Sequence, residues 1–456
     1  MQRRHLTDNS HAGRPSVDGP GKLLRILGVA FGVAVIIGGT VGVGILRSPG
    51  AVAGHLGSVW LVLTVWILGG VYSLLGANYM AELATLVPRA GGPYVYAHRA
   101  FGGYGGFVVG WGDWLLNTLS LSYMCIVFGE YAGAFFAPGL PSGTEVFALA
   151  VLFLLTLLNW LGLRAGSGMQ QVTSVLKALA LLAFVAACFV LGRRDASTVQ
   201  VSPVLTESVT GVGFILAFQL VLGTYSGWFS AVYFAEEDRD PEKNLPRSLF
   251  LGTGLIVVIY VLVNAAMLYV LPIEQLAGSR FAGADAMAAI FGARSGQLVT
   301  LLAMLSIVGI INATLMFTPR TLFALGRDGL LFHQATRVNA GGTPAVALAA
   351  TVAPAIVCVV VGTFEILVAI AEFLAVTNTI ILVSSLFMLR RREPDAPRPF
   401  KAWGYPVAPL IMLIAAIAIF LGYIAGNPLN SMIAIAAIAL TIPVYLLVRR
   451  SVEIRK

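Results

Sequence analysis

Lys177 closes the run Gln171-Val172-Thr173-Ser174-Val175-Leu176-Lys177, and a long apolar stretch follows it. An ammonium among apolar residues is expensive, so it marks an ion path, a proton relay or a charged tie between segments. A buried lysine can release its proton, and proton carrier and permanently charged tie are equally open readings of Lys177. Asp113, between Trp111 and Trp114, and the carboxylates Glu130 and Glu372 also fall within apolar stretches. Asp113 is expected to be structural and to pair with a loop arginine, and Glu130 to sit at the outer end of its segment. Glu236 and Glu237 precede a charged loop and are candidates for an ion pair at an inner gate.

Two glycine clusters offer a different chemistry. They are Ile37-Gly38-Gly39-Thr40-Val41-Gly42-Val43-Gly44-Ile45 and Gly223-Thr224-Tyr225-Ser226-Gly227-Trp228. Each glycine destabilises a helix by about 1 kcal/mol relative to alanine. A helix broken there frees N–H groups on one side of the break and carbonyls on the other. The N–H end carries partial positive charge and suits a carboxylate; the carbonyl end suits an ammonium or another cation. Two crossed breaks would therefore receive a zwitterion without a charged side chain. Close helix packing explains either cluster taken alone.

The elements that hold these groups follow from composition. Of 456 residues, 58% are hydrophobic and 11% charged, against about a quarter charged in soluble domains. The apolar runs are long and unbroken, which argues for membrane helices of about 20 residues each and against a barrel, whose strands alternate. Twelve spans are predicted, near 26–46, 57–81, 101–131, 144–163, 168–192, 211–236, 247–271, 296–326, 345–363, 366–390, 407–425 and 431–449. Residues 1–25 read as a disordered cytosolic tail without a cleavable signal, and 450–456 as a cytosolic C-terminus.

Charge sets the orientation. Of the 29 Lys and Arg residues, 23 fall on the side of the N-terminus, five on the other, and Lys177 lies within a span. Both termini are thus expected in the cytoplasm, and the net charge of +8 reflects orientation rather than nucleic-acid binding. The connector Arg390-Arg391-Arg392-Glu393-Pro394 reads as a topological anchor. The outer segment Pro272–Ser295 has room for a short helix over an entrance. Cys125, Cys188 and Cys358 lie in apolar runs without metal-binding spacing, so neither a metal nor a cofactor is expected.

The glycine clusters occupy the first span of spans 1–5 and the first of spans 6–10. Paired interrupted helices in two halves of a membrane protein point to a transporter's binding site. A membrane enzyme would need a catalytic cluster at depth. The five histidines lie in the tail or near span ends and form no HExxH pattern. A channel would show a filter or rings of charge.

Several stretches then match a known pattern. Val41-Gly42-Val43-Gly44-Ile45-Leu46 is similar to a G-S-G-I-F element, and Ala81-Glu82-Leu83 with Pro88-Arg89-Ala90-Gly91-Gly92-Pro93-Tyr94-Val95-Tyr96 to an A-E-L … P-x-x-G-G-x-Y-x-Y stretch. Gly227-Trp228, Ala235-Glu236-Glu237, Asn244-Leu245-Pro246-Arg247, Gly326-Arg327-Asp328-Gly329-Leu330 and Pro397-Arg398-Pro399-Phe400 follow in order. Beyond its tail the chain resembles the amino acid–polyamine–organocation transporter superfamily, in particular its sodium-independent amino acid permeases.

The resemblance implies an all-α membrane fold of twelve helices, a five-plus-five inverted repeat of the LeuT type with two extra C-terminal helices. Its repeats would span 26–192 and 211–390, and its last helices 407–449. It implies that a substrate carboxylate meets the N–H groups of Val43 and Gly44, with Gly42 shaping the turn. The substrate amine would meet carbonyls near Gly39 and Thr40 and near Gly223, Thr224 and Tyr225. Ser226 and Gly227 would leave room for the side chain, and Trp228 would line it. Lys177 would stand where sodium-coupled relatives bind a cation and bridge helices 1 and 8, which argues against sodium coupling.

Two residues depart from the pattern. Val43 replaces a serine, and Gly223 replaces a bulky aromatic outer gate, implying a roomier pocket. A cationic substrate or polyamine would call for acidic side chains by the pocket, and the helix 6 break supplies none. Neutral amino acids are therefore favoured, carried by proton symport or exchange in a prokaryotic inner membrane. The sequence fixes no oligomeric state.

Overall fold

The structure, a computed structural model, describes residues 23–140, 142–192, 211–292, 295–426 and 428–453. Most of the expected N-terminal tail, Arg193, Arg194, Arg294 and residues 454–456 lie outside that set. Sixteen α-helices form among the described residues. They are α1 (Val29–Thr40), α2 (Gly44–Leu56), α3 (Val59–Leu86), α4 (Pro93–Phe136), α5 (Gly143–Leu161), α6 (Leu163–Leu191), α7 (Gly211–Tyr225) and α8 (Pro241–Val270). The rest are α9 (Ile273–Gly278), α10 (Ala282–Phe291), α11 (Gly296–Arg327), α12 (Ala345–Val361), α13 (Phe364–Arg392), α14 (Val407–Gly426), α15 (Pro428–Ala439) and α16 (Thr441–Glu453). Extended pairing among these residues is confined to isolated bridges, Leu27 with Asp238 and Val338 with Pro344.

Ten stretches are long and apolar enough to cross a membrane alone, and the bent pair α1–α2 makes an eleventh. The remaining expected span is α12, apolar but only 17 residues long, short of the ~20 that a full crossing takes. The third span starts earlier than its hydropathy suggests. Pro93 opens α4 at a position where a missing N–H does no harm, and Gly102 (φ 80°, ψ −169°) kinks it. The segment Pro272–Ser295 holds two short helices, α9 and α10.

In the bilayer every backbone group must be satisfied within the protein, so irregular backbone belongs at the centre of the bundle. α11 forms that centre: 67% of its most apolar stretch is buried, against 22% for α14 and 17% for the last span. α1 packs between α6, α8 and α11, while α4 packs against α11, α13 and α5. Both helix breaks therefore abut the most enclosed helices.

Ion pairs fasten the ends of the bundle. Glu82 is fully buried and accepts from Arg390 (2.8 and 2.6 Å), Arg398 (3.1 Å) and the Ala402 N–H (2.7 Å). Arg390 also lies over the Tyr405 ring at 4.2 Å, and Arg392 bonds the Ala100 carbonyl. The basic connector is thus more than a topological anchor: it ties α13 to α3 and α4. Glu237 and Arg320, both buried, pair at 2.5 and 2.7 Å, and Glu236 pairs with Arg327 at 2.7 Å. Removing one member of a buried pair typically costs about 3–5 kcal/mol, so these contacts hold the chain after the second break onto α11.

Candidate functional site

The first break separates α1 from α2 and bends the chain by 48° over Val41–Val43. A Cβ on Gly42 would lie 2.4 Å from Ile310 Cδ1, so the chain passes close to α11 there and a larger residue would have to displace the end of that side chain. The N–H groups of Gly42, Val43, Gly44 and Ile45 meet no acceptor among the described residues, whereas those of Leu46 and Arg47 already reach the Val43 carbonyl. α2 thus begins with a set of free donors at its positive end.

The other side of this break is occupied by Lys177. The side chain is fully buried in α6, and its Nζ donates to the carbonyls of Gly38 (3.0 Å), Val41 (2.8 Å) and Ser306 (3.2 Å). Three carbonyl dipoles surround the ammonium, and no carboxylate among the described residues pairs with it. The cage joins α6, the broken end of α1 and α11.

The second break follows α7. Residues 226–229 turn, and a 3-10 segment runs over Ser230–Phe234. Gly227 adopts φ +104°, a conformation that suits glycine. A Cβ on it would come within 2.6 Å of the Gly39 carbonyl oxygen. Local bonds satisfy much of this turn: Ser226 N–H donates to Gly223 O (3.2 Å), and Ser230 donates to Gly227 O through its N–H (3.0 Å) and Oγ (2.6 Å).

The two breaks touch in three places. Gly227 lies against the Gly39 carbonyl, and the Thr224 hydroxyl donates to Ser48 Oγ at 3.2 Å or to Leu220 O at 2.9 Å. The buried Tyr260 hydroxyl stands between Thr40 O (2.9 Å) and Thr224 O (3.2 Å), one carbonyl from each break. Between and beside them lies a cavity of about 200 Å³. That is below the ~300–1,000 Å³ usual for drug-sized ligands and suits a small metabolite.

Comparison with known proteins gives the site its context. The amino acid permease family matches residues 28–447, nearly the whole chain. The chain belongs to the amino acid permease family. It is 26% identical to the serine/threonine exchanger SteT of Bacillus subtilis over 86% of this chain and 89% of that protein. It is 30% identical to the b(0,+)-type amino acid transporter 1 of Rattus norvegicus, over 94% and 88% of the two chains. The Asc-type amino acid transporter 1 of Mus musculus is 29% identical over 93% of this chain and 81% of its own length. The permease is a transport protein and not an enzyme.

Nine of the predicted site residues border the permease's cavity: Gly39, Thr40, Gly42, Gly44, Gly223, Thr224, Ser226, Gly227 and Trp228. Val43 and Tyr225 do not. The Val43 side chain is packed in the core, although its N–H remains free. Tyr225 turns away and donates to Trp66 O at 3.1 Å, within an aromatic cluster with Trp66 and Tyr260. The expected set of free carbonyls also shrinks, because the single Tyr260 hydroxyl hydrogen serves either Thr40 O or Thr224 O and the Ser226 N–H serves Gly223. No donor reaches the carbonyls of Gly39 and Tyr225 among the described residues.

Trp228 lines the cavity edge with its ring pressed against Gly76, where a Cβ would lie 2.5 Å from the ring. Asp113 pairs with no arginine among the described residues, where the sequence suggested one. Its carboxylate accepts from Tyr233 Oη (2.7 Å) and Thr321 Oγ1 (3.0 Å), and it borders the cavity. That arrangement links α4 to the 3-10 segment and α11 through hydroxyl donors. Glu130 is exposed and makes no ion pair among the described residues. Tyr260 escaped the sequence reading because nothing distinguishes one tyrosine in an apolar helix from another. Asp113 and Glu372 were visible as carboxylates in apolar stretches, yet only the fold brings them to one cavity.

Proposed function

We propose that this permease is a secondary active transporter of amino acids, neutral ones among them, working by alternating access. The substrate is held between the breaks after α1 and α7. Its carboxylate meets the free N–H groups at the start of α2, where Gly42 and Gly44 border the cavity, and its ammonium meets the carbonyl of Gly39. The observation that carries this reading is the pairing of opposite helix ends around one cavity: unsatisfied N–H groups at the start of α2 and the open Gly39 carbonyl at the end of α1, with the second break lying against it. A zwitterion complements both without a charged side chain. The serine/threonine, b(0,+)-type and Asc-type names of the relatives support amino acids as cargo.

In this reading α12 is the twelfth span, α1–α6 and α7–α13 form inverted repeats, and both termini face the cytoplasm of a prokaryotic inner membrane. The basic excess on one side supports that orientation. Lys177 substitutes for a coupling cation, so transport runs as proton symport or as amino acid exchange.

The test is uptake of radiolabelled amino acids into proteoliposomes, with and without an inward proton gradient and with amino acid preloaded. Stimulation by the gradient identifies a symporter, and stimulation by preloading alone identifies an exchanger. Absence of saturable uptake of every amino acid under both conditions would refute the reading.

A further inference from the structure

The proposed zwitterion site accounts for two substrate charges and leaves one group of the cavity unused. Glu372, on α13, borders the cavity but makes no hydrogen bond or ion pair among the described residues. Asp113, the other carboxylate there, is satisfied by Tyr233 and Thr321. The cavity lining includes no Lys, Arg or His among the described residues. Lys177 does not reach it, since its ammonium is taken up by the three carbonyls of Gly38, Val41 and Ser306.

Glu372 stands opposite the second break. A Cβ built on Gly223 would lie 3.6 Å from Glu372 Oε1, so the absence of a side chain at Gly223 leaves the carboxylate open to the bound molecule. Tyr72, Tyr123 and Tyr423 border the same cavity. A carboxylate at membrane depth is costly without a counter-charge. The described residues supply none at the cavity, while the carboxylate and ammonium of an amino acid backbone are already matched by α2 and by the Gly39 carbonyl. The missing partner is then a second cation carried by the substrate itself.

We propose that Glu372 is a specificity residue that receives the terminal ammonium or guanidinium of an amino acid with a cationic side chain, which enters over Gly223. The helix 6 break supplies no acidic group, but α13 brings one to it. The permease therefore accepts cationic as well as neutral amino acids at one site. A simple diamine is a poorer ligand because it lacks the carboxylate that α2 would bind. This inference rests on the zwitterion site proposed above.

The experiment measures competition against radiolabelled alanine uptake in proteoliposomes of the full chain. Lysine is compared with norleucine, which has the same carbon chain without the terminal ammonium, and with 1,5-diaminopentane, which lacks the carboxylate. Lysine is expected to compete and the diamine not to. In Glu372→Gln the ratio of lysine to norleucine affinity is expected to fall at least about tenfold, with Glu372→Asp in between. Failure of lysine to compete in the wild-type chain, where norleucine does, overturns the proposal without needing any variant. An unchanged ratio in Glu372→Gln overturns it too, and marks Glu372 as a group that serves all substrates alike. Competition by the diamine as strong as by lysine overturns the amino acid as the ligand class. Absence of alanine uptake altogether would instead sink the proposed transport function, and this inference with it.

Discussion

The break between α1 and α2 and the break after α7 look alike in sequence, each a glycine cluster in the first helix of its half. Their chemistry differs. At the first, a distant charged side chain fills the carbonyl side: Lys177 reaches in from α6 to Gly38 and Val41, and the N–H side is left free. At the second, the chain closes much of the turn itself, through Ser226 and Ser230 onto Gly223 and Gly227. One break is held open from outside, and the other is a self-contained turn that offers a surface. The first break thus depends on α6 through Lys177, whereas the second is bonded to itself and tied beyond its turn to α11.

The largest effect should come from the support of the first break. Lys177→Met leaves the buried carbonyls of Gly38 and Val41, at the broken end of α1, without their donor, and hydrogen bonds to charged groups are worth about 1.5–3 kcal/mol each. Initial uptake per amount of protein in the membrane is expected to fall about a hundredfold, since every 1.4 kcal/mol is a factor of ten. Wild-type rates in Lys177→Met would mean that something other than this cage holds α1 and α2 apart.

Next comes the contact between the breaks. Gly227→Ala must adopt φ +104° and bring a Cβ to 2.6 Å from the Gly39 carbonyl. Strain of about 1–3 kcal/mol is usual for such backbone, so uptake should drop roughly ten- to a hundredfold. A larger loss than in Lys177→Met would reverse the ranking of the two breaks. Tyr260→Phe should do less. It removes one hydroxyl between Thr40 and Thr224, worth about 1 kcal/mol, and affinity for alanine should weaken severalfold. Unaltered affinity would show that the two breaks are aligned by packing rather than by Tyr260.

How much of this was legible beforehand depended on sequence distance. Glycine clusters are local, so both breaks could be placed to within a few residues. Lys177 could be singled out because a lone ammonium in an apolar stretch is conspicuous without any partner. What it touches could not be read, since Gly38 and Ser306 are 139 and 129 residues away. The same holds for Asp113, whose partners Tyr233 and Thr321 are 120 and 208 residues away, and whose expected arginine proved wrong. Residue type also misleads inside a motif. Thr224, Tyr225 and Ser226 are consecutive, yet the aromatic pocket of Trp66 and Tyr260 draws Tyr225 out of the cavity while its neighbours stay. The motif located the turn, and packing of α3 and α8 decided which side chains faced inward.

The smallest expected effect is the most direct test of whether the breaks touch as rigid bodies. A Cβ on Gly39 would lie 2.8 Å from Ser230 Oγ, 3.6 Å from Ser230 Cβ and 3.9 Å from Ala313 Cβ. The hydroxyl is therefore the only close obstacle, and its bond to Gly227 O holds it in place. Ser230→Ala alone should lower the thermal midpoint in detergent only slightly, because the Ser230 N–H still serves that carbonyl. Gly39→Ala alone should lower it more. In the double variant the obstacle is gone, so the two losses should sum to more than the loss observed, with a coupling in the usual range of about 0.5–3 kcal/mol for residues in contact. Strict additivity would mean that Ser230 swings aside freely, and that the second break is softer than its hydrogen bonds imply. A clear coupling makes the Gly39–Ser230 contact a fixed point at which the two breaks hold one another.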